Sequence, residues 1–225
     1  MIDVVDAATG AVKSTLTLTG PAAGIGGWDG AAMRPDGKLI IGSQYSTKIF
    51  TVDTASGASA EFFDYRTLGA DYTVSYTTGD FVTLDNGDEI ALATWDDSGD
   101  TTHVVVRISS SGAGIVVGGV AEAWGAGRVD DNLMLAGADG VIRKIALADL
   151  PTTASTATLT EATVVDSGVA ESLWGAAGTR DSGTQVCALP DTGISSGTAL
   201  TVGLIGAGLG LAGAASILIA RRKRA

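Results

Sequence analysis

Histidine and cysteine, the side chains that most often serve as catalytic bases, nucleophiles and metal ligands, are almost absent from this chain. Its 225 residues include one histidine, His103, and one cysteine, Cys187. A tetrahedral zinc site takes about four such ligands, and a disulfide framework takes an even set of cysteines, so both are excluded. The 25 Asp and Glu residues could do acid–base chemistry, but the sequence singles out no pair. The alternating run 102–107 predicts that His103 faces outward from a strand.

An acidic loop is the best candidate for cation binding. Asp96, Asp97 and Asp100 lie within the five-residue run 96–100, but this run lacks the glycine and the distal glutamate of an EF-hand loop. We therefore predict no metal site and no cofactor. The net charge of −11 also excludes a sequence-independent grip on nucleic acid, which needs a basic surface.

Basic residues are concentrated at the end of the chain. Residues 199–220 form a run of 22 uncharged residues, which as a helix spans about 33 Å and can cross a bilayer core of about 30 Å. We predict a transmembrane helix there, followed by a basic tail, 221–225. By the positive-inside rule this tail stays cytoplasmic and the rest of the chain lies outside. The predicted stop-transfer residues are Arg221, Arg222, Lys223 and Arg224.

A pentapeptide stands before this span, separated from it by the spacer 194–198. It consists of Leu189, Pro190, Asp191, Thr192 and Gly193. Pro190 favours an extended conformation at the residue before it, which lowers the entropy lost on entering a groove. Gly193 has no side chain to block a nucleophile that approaches the Thr192 carbonyl.

The pentapeptide, span and basic tail, in this order, resemble the sorting signal of Gram-positive surface proteins that sortases attach to the cell wall. The resemblance implies cleavage between Thr192 and Gly193 and transfer of the Thr192 carboxyl to the peptidoglycan precursor. It therefore predicts a cell-wall location, with sortase as a partner and the membrane contacted only before cleavage. The first twenty residues contain Asp3 and Asp6 and lack the basic start and apolar segment of a secretory signal. We therefore expect the sequence to be part of a longer secreted protein.

Repeats organise the remaining 188 residues. Trp28, Tyr76, Trp124 and Trp174 are spaced 48, 48 and 50 residues apart. Turn signals such as Asp-Asn-Gly follow each aromatic residue, and short apolar strands follow the first three of these turns. Each repeat of about 48 residues is therefore predicted to form four short antiparallel strands, the arrangement typical of a β-propeller blade.

The turns at 35–38 and 53–57 resemble those of a loose class of secreted propellers, and an array of Ig-like β-sandwich domains is the alternative. We predict an all-β ectodomain over 1–188, followed by one transmembrane helix. The expected ectodomain is a partial propeller, with blades at about 21–70, 71–118 and 119–166 and partial blades at 1–20 and 167–188. A self-contained ring, in which the two half-blades pair, stays open as the alternative to a fragment.

The propeller resemblance implies a ligand face at one end of the blades. Its acidic and aromatic candidates are Trp28, Asp29, Asp96, Asp97, Asp100, Glu122, Trp124, Glu171 and Trp174. We predict a wall-anchored surface protein that displays an acidic module for binding or adhesion to an unknown extracellular ligand, and that is not an enzyme. The alternatives are a wall-anchored propeller enzyme of the hydrolase or lyase type and an Ig-like adhesin.

Overall fold

The computed structural model describes residues 1–6, 8–69, 75–97 and 100–166, and every sheet in these ranges is antiparallel. Strands β1 and β2 form a hairpin, and the next twelve strands form three four-stranded sheets. We call these sheets blades 1, 2 and 3 in chain order. Within the described ranges, three short 3-10 helices lie at Gly20–Ala22, Tyr65–Leu68 and Leu147–Asp149. The prediction of an all-β fold is confirmed.

The strand bounds follow the turn signals of the sequence. The hairpin comprises β1 (Ile2–Val5) and β2 (Val12–Leu16). Blade 1 comprises β3 (Trp28–Met33), β4 (Leu39–Ser43), β5 (Lys48–Val52) and β6 (Ser59–Asp64). Blade 2 comprises β7 (Thr77–Thr83), β8 (Glu89–Asp97), β9 (Asp100–Ile108) and β10 (Gly114–Val120). Blade 3 comprises β11 (Ala123–Val129), β12 (Asn132–Gly137), β13 (Val141–Ala146) and β14 (Ala162–Asp166).

Each blade is a meander in which strands pair in chain order. An Ig-like sandwich divides its strands between two sheets through Greek-key connections, so this connectivity does not match the alternative. The hairpin repeats the outer half of a blade. In its turn Gly10 N donates to Asp6 O, and in blade 1 Gly57 N donates to Asp53 O, both at 2.8 Å. In both turns the aspartate side chain also accepts two backbone amides.

The first strands of the blades converge, because glycines let their backbones approach closely. A Cβ atom at Gly30 of β3 would lie 2.1 Å from Gly79 O of β7. A Cβ atom at Gly79 would in turn lie 2.7 Å from Trp124 O of β11. Such contacts leave no room for a side chain, so β3, β7 and β11 form the inner edge of the three blades, as in a propeller.

Apolar side chains fill the spaces on both sides of blade 2. Ile40, Phe63 and Phe81 belong to one buried cluster that blades 1 and 2 share. Leu92 and Leu135 belong to a second cluster, shared by blades 2 and 3. Each such side chain stabilises the fold by roughly 1.5–3 kcal/mol through burial, and blade 2 is therefore covered on both faces.

The repeating aromatic residues do not occupy equivalent positions. The amides of Gln44, Thr94 and Ala138 donate to the carbonyls of Gly27, Tyr76 and Glu122 in the three blades. Those bonds make Trp28 equivalent to Thr77 and Ala123, the first residues of the inner strands. Trp124 comes one residue later and is the extra residue of the bulge between Ala123 and Gly125, the position that Asp29 occupies in the matching bulge of β3. The blades repeat, but the spacing of 48 residues does not mean that these aromatic residues hold equivalent positions in them.

His103 corrects a second expectation. The structure buries it, with 5% of its surface exposed, on β9 of blade 2. The alternating run 102–107 predicts a strand with one face in solvent, but neighbouring blades cover both faces of this sheet. Among the residues that the structure describes, no helix is long and apolar enough to cross a membrane. The predicted span 199–220, the pentapeptide 189–193 and the basic tail lie outside those residues.

Candidate functional site

One end of the blades gathers the candidate residues. Each inner strand begins there, and the connection between the second and third strands of each blade lies beside it, as the pairing of Trp28 with Ser43 shows in blade 1. We call this end the upper face and define it by residues 26–29, 44–47, 75–80, 121–124 and 138–140. The side chains that could do chemistry on this face form two groups.

Asp29 is the most perturbed acid of the first group. It is the extra residue of a bulge between Trp28 and Gly30 in β3. Its Oδ1 atom is buried and has no hydrogen-bond partner among the described residues. Burial, reinforced by the negative charge of Asp80, raises the pKa of Asp29 to about 8. The carboxyl group therefore keeps its proton at neutral pH.

Asp80 comes from the neighbouring inner strand, β7, where it is half-buried. Two hydroxyl oxygens on the same stretch, Ser75 Oγ and Thr78 Oγ1, are buried without a hydrogen-bond partner among the described residues. Buried polar atoms are nearly always paired in folded proteins. Together with Asp29 Oδ1, these two hydroxyl oxygens place three buried polar atoms without hydrogen-bond partners among the described residues at the inner edge of blades 1 and 2.

Tyr65 closes the space between these two blades. Its ring is fully buried and meets Phe63 edge to face at 5.3 Å. Its hydroxyl lies 3.2 Å from Thr77 Oγ1. Burial raises the pKa of Tyr65, so the phenol stays neutral. Tyr65 thus forms an uncharged wall beside Asp29.

The second group lies between blades 2 and 3. His103 Nδ1 lies 3.2 Å from the Ala123 carbonyl oxygen, and its ring meets the Trp124 ring edge to face at 5.2 Å. Trp124 Nε1 donates to Glu122 Oε1 at 3.0 Å. Burial lowers the pKa of His103, against the opposing effect of the Glu122 charge. The imidazole is therefore neutral near pH 7.

The other predicted face residues have different roles or lie beyond the described ranges. Trp28 packs edge to face on Phe50 at 6.1 Å, as a core residue does. Asp139, a further acid of this end, is paired with Arg143, which lowers the pKa of Asp139 to about 2. Asp96, Asp97 and Asp100 belong to the strand ends of β8 and β9, where Asp97 pairs with Asp100. Glu171 and Trp174 fall outside the residues that the structure describes.

Sequence reasoning passed over Asp80. The spacing between the turns 35–37 and 85–87 aligns Asp80 with Gly30 at an offset of 50. This alignment could have shown that each of two neighbouring inner strands carries an acid. Within the described part of the chain, no three His, Cys, Asp or Glu side chains come together as metal ligands.

Comparison with known proteins gives structural likeness only. No family model and no curated protein matches the chain. A streptogramin B lyase structure is 15% identical, with a TM-score of 0.44, over 67% of this chain and 44% of that one. A gluconolactonase from Xanthomonas campestris is 13% identical, with a TM-score of 0.46, over 67% and 52%. A virginiamycin B lyase from Staphylococcus aureus is 9% identical, with a TM-score of 0.36, over 67% and 59%.

These structures overturn one expectation. The chain spans about half the length of each structure, from 44% to 59%, and all three are enzymes by name. The prediction that the chain is not an enzyme is therefore wrong. That prediction rests on the scarcity of histidine and cysteine and on the lack of a carboxylate pair that the sequence singles out, and neither excludes chemistry by carboxylates. At identities of 9–15% and TM-scores below 0.5, the likenesses indicate no substrate.

Proposed function

We propose that the chain is displayed on the cell wall of a Gram-positive bacterium and that its propeller-like domain is an enzyme of the hydrolase or lyase type. Wall display rests on the ordered signal of the C-terminal sequence: the pentapeptide 189–193, the uncharged run 199–220 and the basic tail. Sortase and the peptidoglycan precursor are its partners in anchoring. The extracellular ligand of the upper face is then the substrate.

Coexpression with a sortase, behind a standard secretion signal, tests the anchoring. The unchanged chain should become covalently linked to the wall. Thr192→Ala should leave it in the membrane fraction, because the sorting pattern requires threonine at this position. Asp191→Ala is the matched control, since the sorting pattern accepts any residue there. Equal wall linkage with Thr192→Ala would refute the proposal.

The observation that carries the enzymatic proposal is the burial of Asp29, whose Oδ1 atom has no hydrogen-bond partner among the described residues and whose pKa is raised further by the charge of a second acid, Asp80. A carboxylic acid that keeps its proton at neutral pH can act as a general acid, and a neighbouring ionised carboxylate can act as a general base. In hydrolysis Asp29 gives its proton to the leaving oxygen as the bond between that oxygen and carbon breaks. Asp80 takes a proton from the water whose oxygen bonds to the same carbon, so one water is consumed.

A lyase would use the same two groups differently. Asp29 would again protonate the leaving oxygen, while Asp80 would remove a proton from the adjacent carbon as the double bond forms. No water is consumed in this reaction. The two chemistries are distinguished by their products, because only elimination creates a double bond that absorbs in the near ultraviolet.

A panel of glycosides, polysaccharides and lactones, assayed with the purified full chain, tests this site. Asp29→Asn should lower kcat at least about 100-fold, the usual effect of losing a general acid. Asp149→Asn, which changes an exposed acid on the 3-10 helix of blade 3, should leave kcat unchanged. The rate should fall above pH 8, where Asp29 loses its proton.

Two outcomes would refute the assignment. One is turnover that Asp29→Asn leaves intact. The other is turnover that Glu122→Ala abolishes while Asp29→Asn does not, because this would move the chemistry to the group between blades 2 and 3.

A further inference from the structure

The connection between the third and fourth strands of blade 3 differs from its counterparts. It runs over the fifteen residues 147–161, whereas the counterparts at 6–11, 53–58 and 109–113 have five or six residues. Of the ten residues 151–160, which we call the strap, six are Ser or Thr, one is Pro and none is charged. An insertion of this length and composition does more than join two strands.

The strap is fixed on the outer strand of blade 2. Gly119 of β10 exchanges two backbone hydrogen bonds with it, from its own N to Ala157 O at 3.0 Å and from Leu159 N to its own O at 2.8 Å. At the end of the insertion, Glu161 Oε1 accepts from Ala121 N at 2.7 Å. The backbone of the strap thus covers the outer edge of β10, which would otherwise be open to pairing with another strand.

The side chains of the strap are not explained by this backbone contact. Ser155 is half-buried, and its Oγ atom accepts from Ala157 N at 3.2 Å. The other five hydroxyl-bearing residues are exposed, and their hydroxyl groups have no hydrogen-bond partner among the described residues: Thr152, Thr153, Thr156, Thr158 and Thr160. Five threonines in a fixed segment therefore present free hydroxyl groups to solvent.

Threonines in the shorter counterparts are used differently. In the hairpin, Thr9 Oγ1 accepts from Ala11 N at 3.3 Å. In blade 1, Thr54 Oγ1 donates to Gly37 O at 3.4 Å. Local bonds of this kind are the usual reason for Ser and Thr in turns, because the hydroxyl group satisfies a backbone group nearby. Within the described part of the chain, the five strap threonines make no such bond.

We propose that the strap threonines are acceptors for O-linked sugars. Stretches rich in Ser and Thr that also contain Pro are typical of O-glycosylated segments. An acceptor threonine must be accessible, and its hydroxyl group must not be engaged elsewhere. The five strap threonines meet both conditions. This modification site lies beyond the proposed enzymatic site and requires only that the chain is exported.

Sugar transfer to a strap threonine forms a bond between its Oγ1 atom and C1 of the sugar. The donor is an activated sugar whose C1 is linked to the phosphate of a nucleotide or of a polyprenol. The bond between C1 and the phosphate oxygen breaks, and the phosphate leaves with the electron pair. The hydroxyl proton passes to a base of the transferase, so nothing is oxidised or reduced. The added sugar is bulky and hydrated, as suits an exposed surface segment without charge.

Peptide mass spectrometry on the full chain tests the proposal. The chain is expressed as in the anchoring test, in a Gram-positive host whose own wall proteins carry O-linked sugars, and is digested with trypsin. Cleavage after Lys144 and Arg180 releases the peptide 145–180, which contains the whole strap. We expect this peptide to carry at least one hexose or N-acetylhexosamine. Alkaline β-elimination should remove the sugar, and electron-transfer fragmentation should locate it on a strap threonine.

The same digest contains matched controls. Thr9 and Thr54 are also exposed, but their hydroxyl groups are hydrogen-bonded, so the peptides that contain them should carry no sugar. A variant in which all five strap threonines are changed to Ala should yield an unmodified peptide 145–180. The assignment by fragmentation uses the unchanged chain and does not depend on how this variant folds.

Three outcomes would overturn the proposal. They are an unmodified strap in the unchanged chain, sugar on peptide 145–180 that survives in the Ala variant, and equal modification of the peptides that contain Thr9 and Thr54. A glycosylated strap on a chain that stays in the membrane fraction would instead refute wall anchoring and leave this inference standing.

Discussion

Asp29 should make the protein less stable as the pH rises through neutrality, and Asp29→Asn should remove that effect. The ordinary pKa of an aspartate is 3.8, and the folded-state pKa of Asp29 is about 8. The folded protein therefore holds one more proton than the unfolded chain between these two values. The contribution of Asp29 to the free energy of unfolding is therefore greatest below the pKa of the unfolded chain, falls as the pH rises from about 4 to 8, and levels off above pH 8.

The magnitude follows from the width of this window. Each pKa unit corresponds to about 1.4 kcal/mol, so the free energy of unfolding should fall by about 4 kcal/mol between pH 4 and pH 7 because of this residue alone. Asparagine has nearly the same shape and does not titrate. The difference in unfolding free energy between Asp29→Asn and the unchanged chain should therefore be small at pH 4, and at pH 7 should favour the variant by up to about 4 kcal/mol.

Urea unfolding, followed by tryptophan fluorescence at several pH values between 4 and 8, measures this difference. The comparison must be between variants, since Asp64, Asp88 and Asp139 have lowered pKa values and destabilise the fold as the pH falls. Asp149→Asn is the control and should give a difference that is flat across this range. A variant that is destabilised at pH 7, or a difference that does not change with pH, would contradict a buried protonated Asp29.

Two further predictions concern how the blades hold together. Gly57→Ala should destabilise the fold by more than Gly10→Ala, which should cost about 1 kcal/mol. Both glycines have positive φ and occupy equivalent positions in two matching turns. A Cβ atom at Gly57 would in addition lie 2.1 Å from Thr17 O, whereas a Cβ atom at Gly10 would have no atom within 4 Å. Equal urea midpoints for the two variants would contradict the contact between the hairpin and blade 1. Arg34→Met should lower the free energy of unfolding by about 3 kcal/mol at pH 7, because Arg34 of blade 1 lies 3.6 Å from the fully buried Glu89 of blade 2. The double variant Arg34→Met, Glu89→Gln should lose less stability, because no charge is then left buried without its partner. An equal loss in the single and the double variant would refute this pairing.

Local patterns were enough to predict the strands and their turns. The run 48–52 is rich in β-branched and aromatic residues and is bounded by polar residues, and it forms β5 at Lys48–Val52. The sequences 6–10 and 53–57 each begin with an aspartate and end with a glycine, and the backbone hydrogen bonds of the two turns are the same. A hairpin turn depends on a few adjacent residues, chiefly an aspartate that accepts backbone amides and a glycine with positive φ. Such information is wholly contained in a short stretch of sequence.

Burial was harder to predict, because it depends on which blades come to lie beside a strand. The run 102–107 alternates as a half-exposed strand does, yet Val104, Val105 and Val106 are all buried. Their sheet has a neighbour on each face, and His103 is buried with them. The repeat aligns Trp28 with Trp124, but Trp28 is the first residue of β3 whereas Trp124 is the extra residue of the bulge in β11. Contacts between blades, rather than any local pattern, decide both outcomes.

The candidate site depends on these same contacts between blades. Asp29 occupies the extra position of a bulge in β3, which changes the direction of its side chain relative to a regular strand. Gly30, the next residue, lets β7 approach so closely that Gly79 O would lie 2.1 Å from a Cβ atom. The approach of β7 brings the negative charge of Asp80 near Asp29 and removes water from the carboxyl group. A carboxyl group in a regular, solvated strand would be ionised at neutral pH. The bulge and the adjacent glycine together are therefore what make Asp29 an acid able to donate a proton.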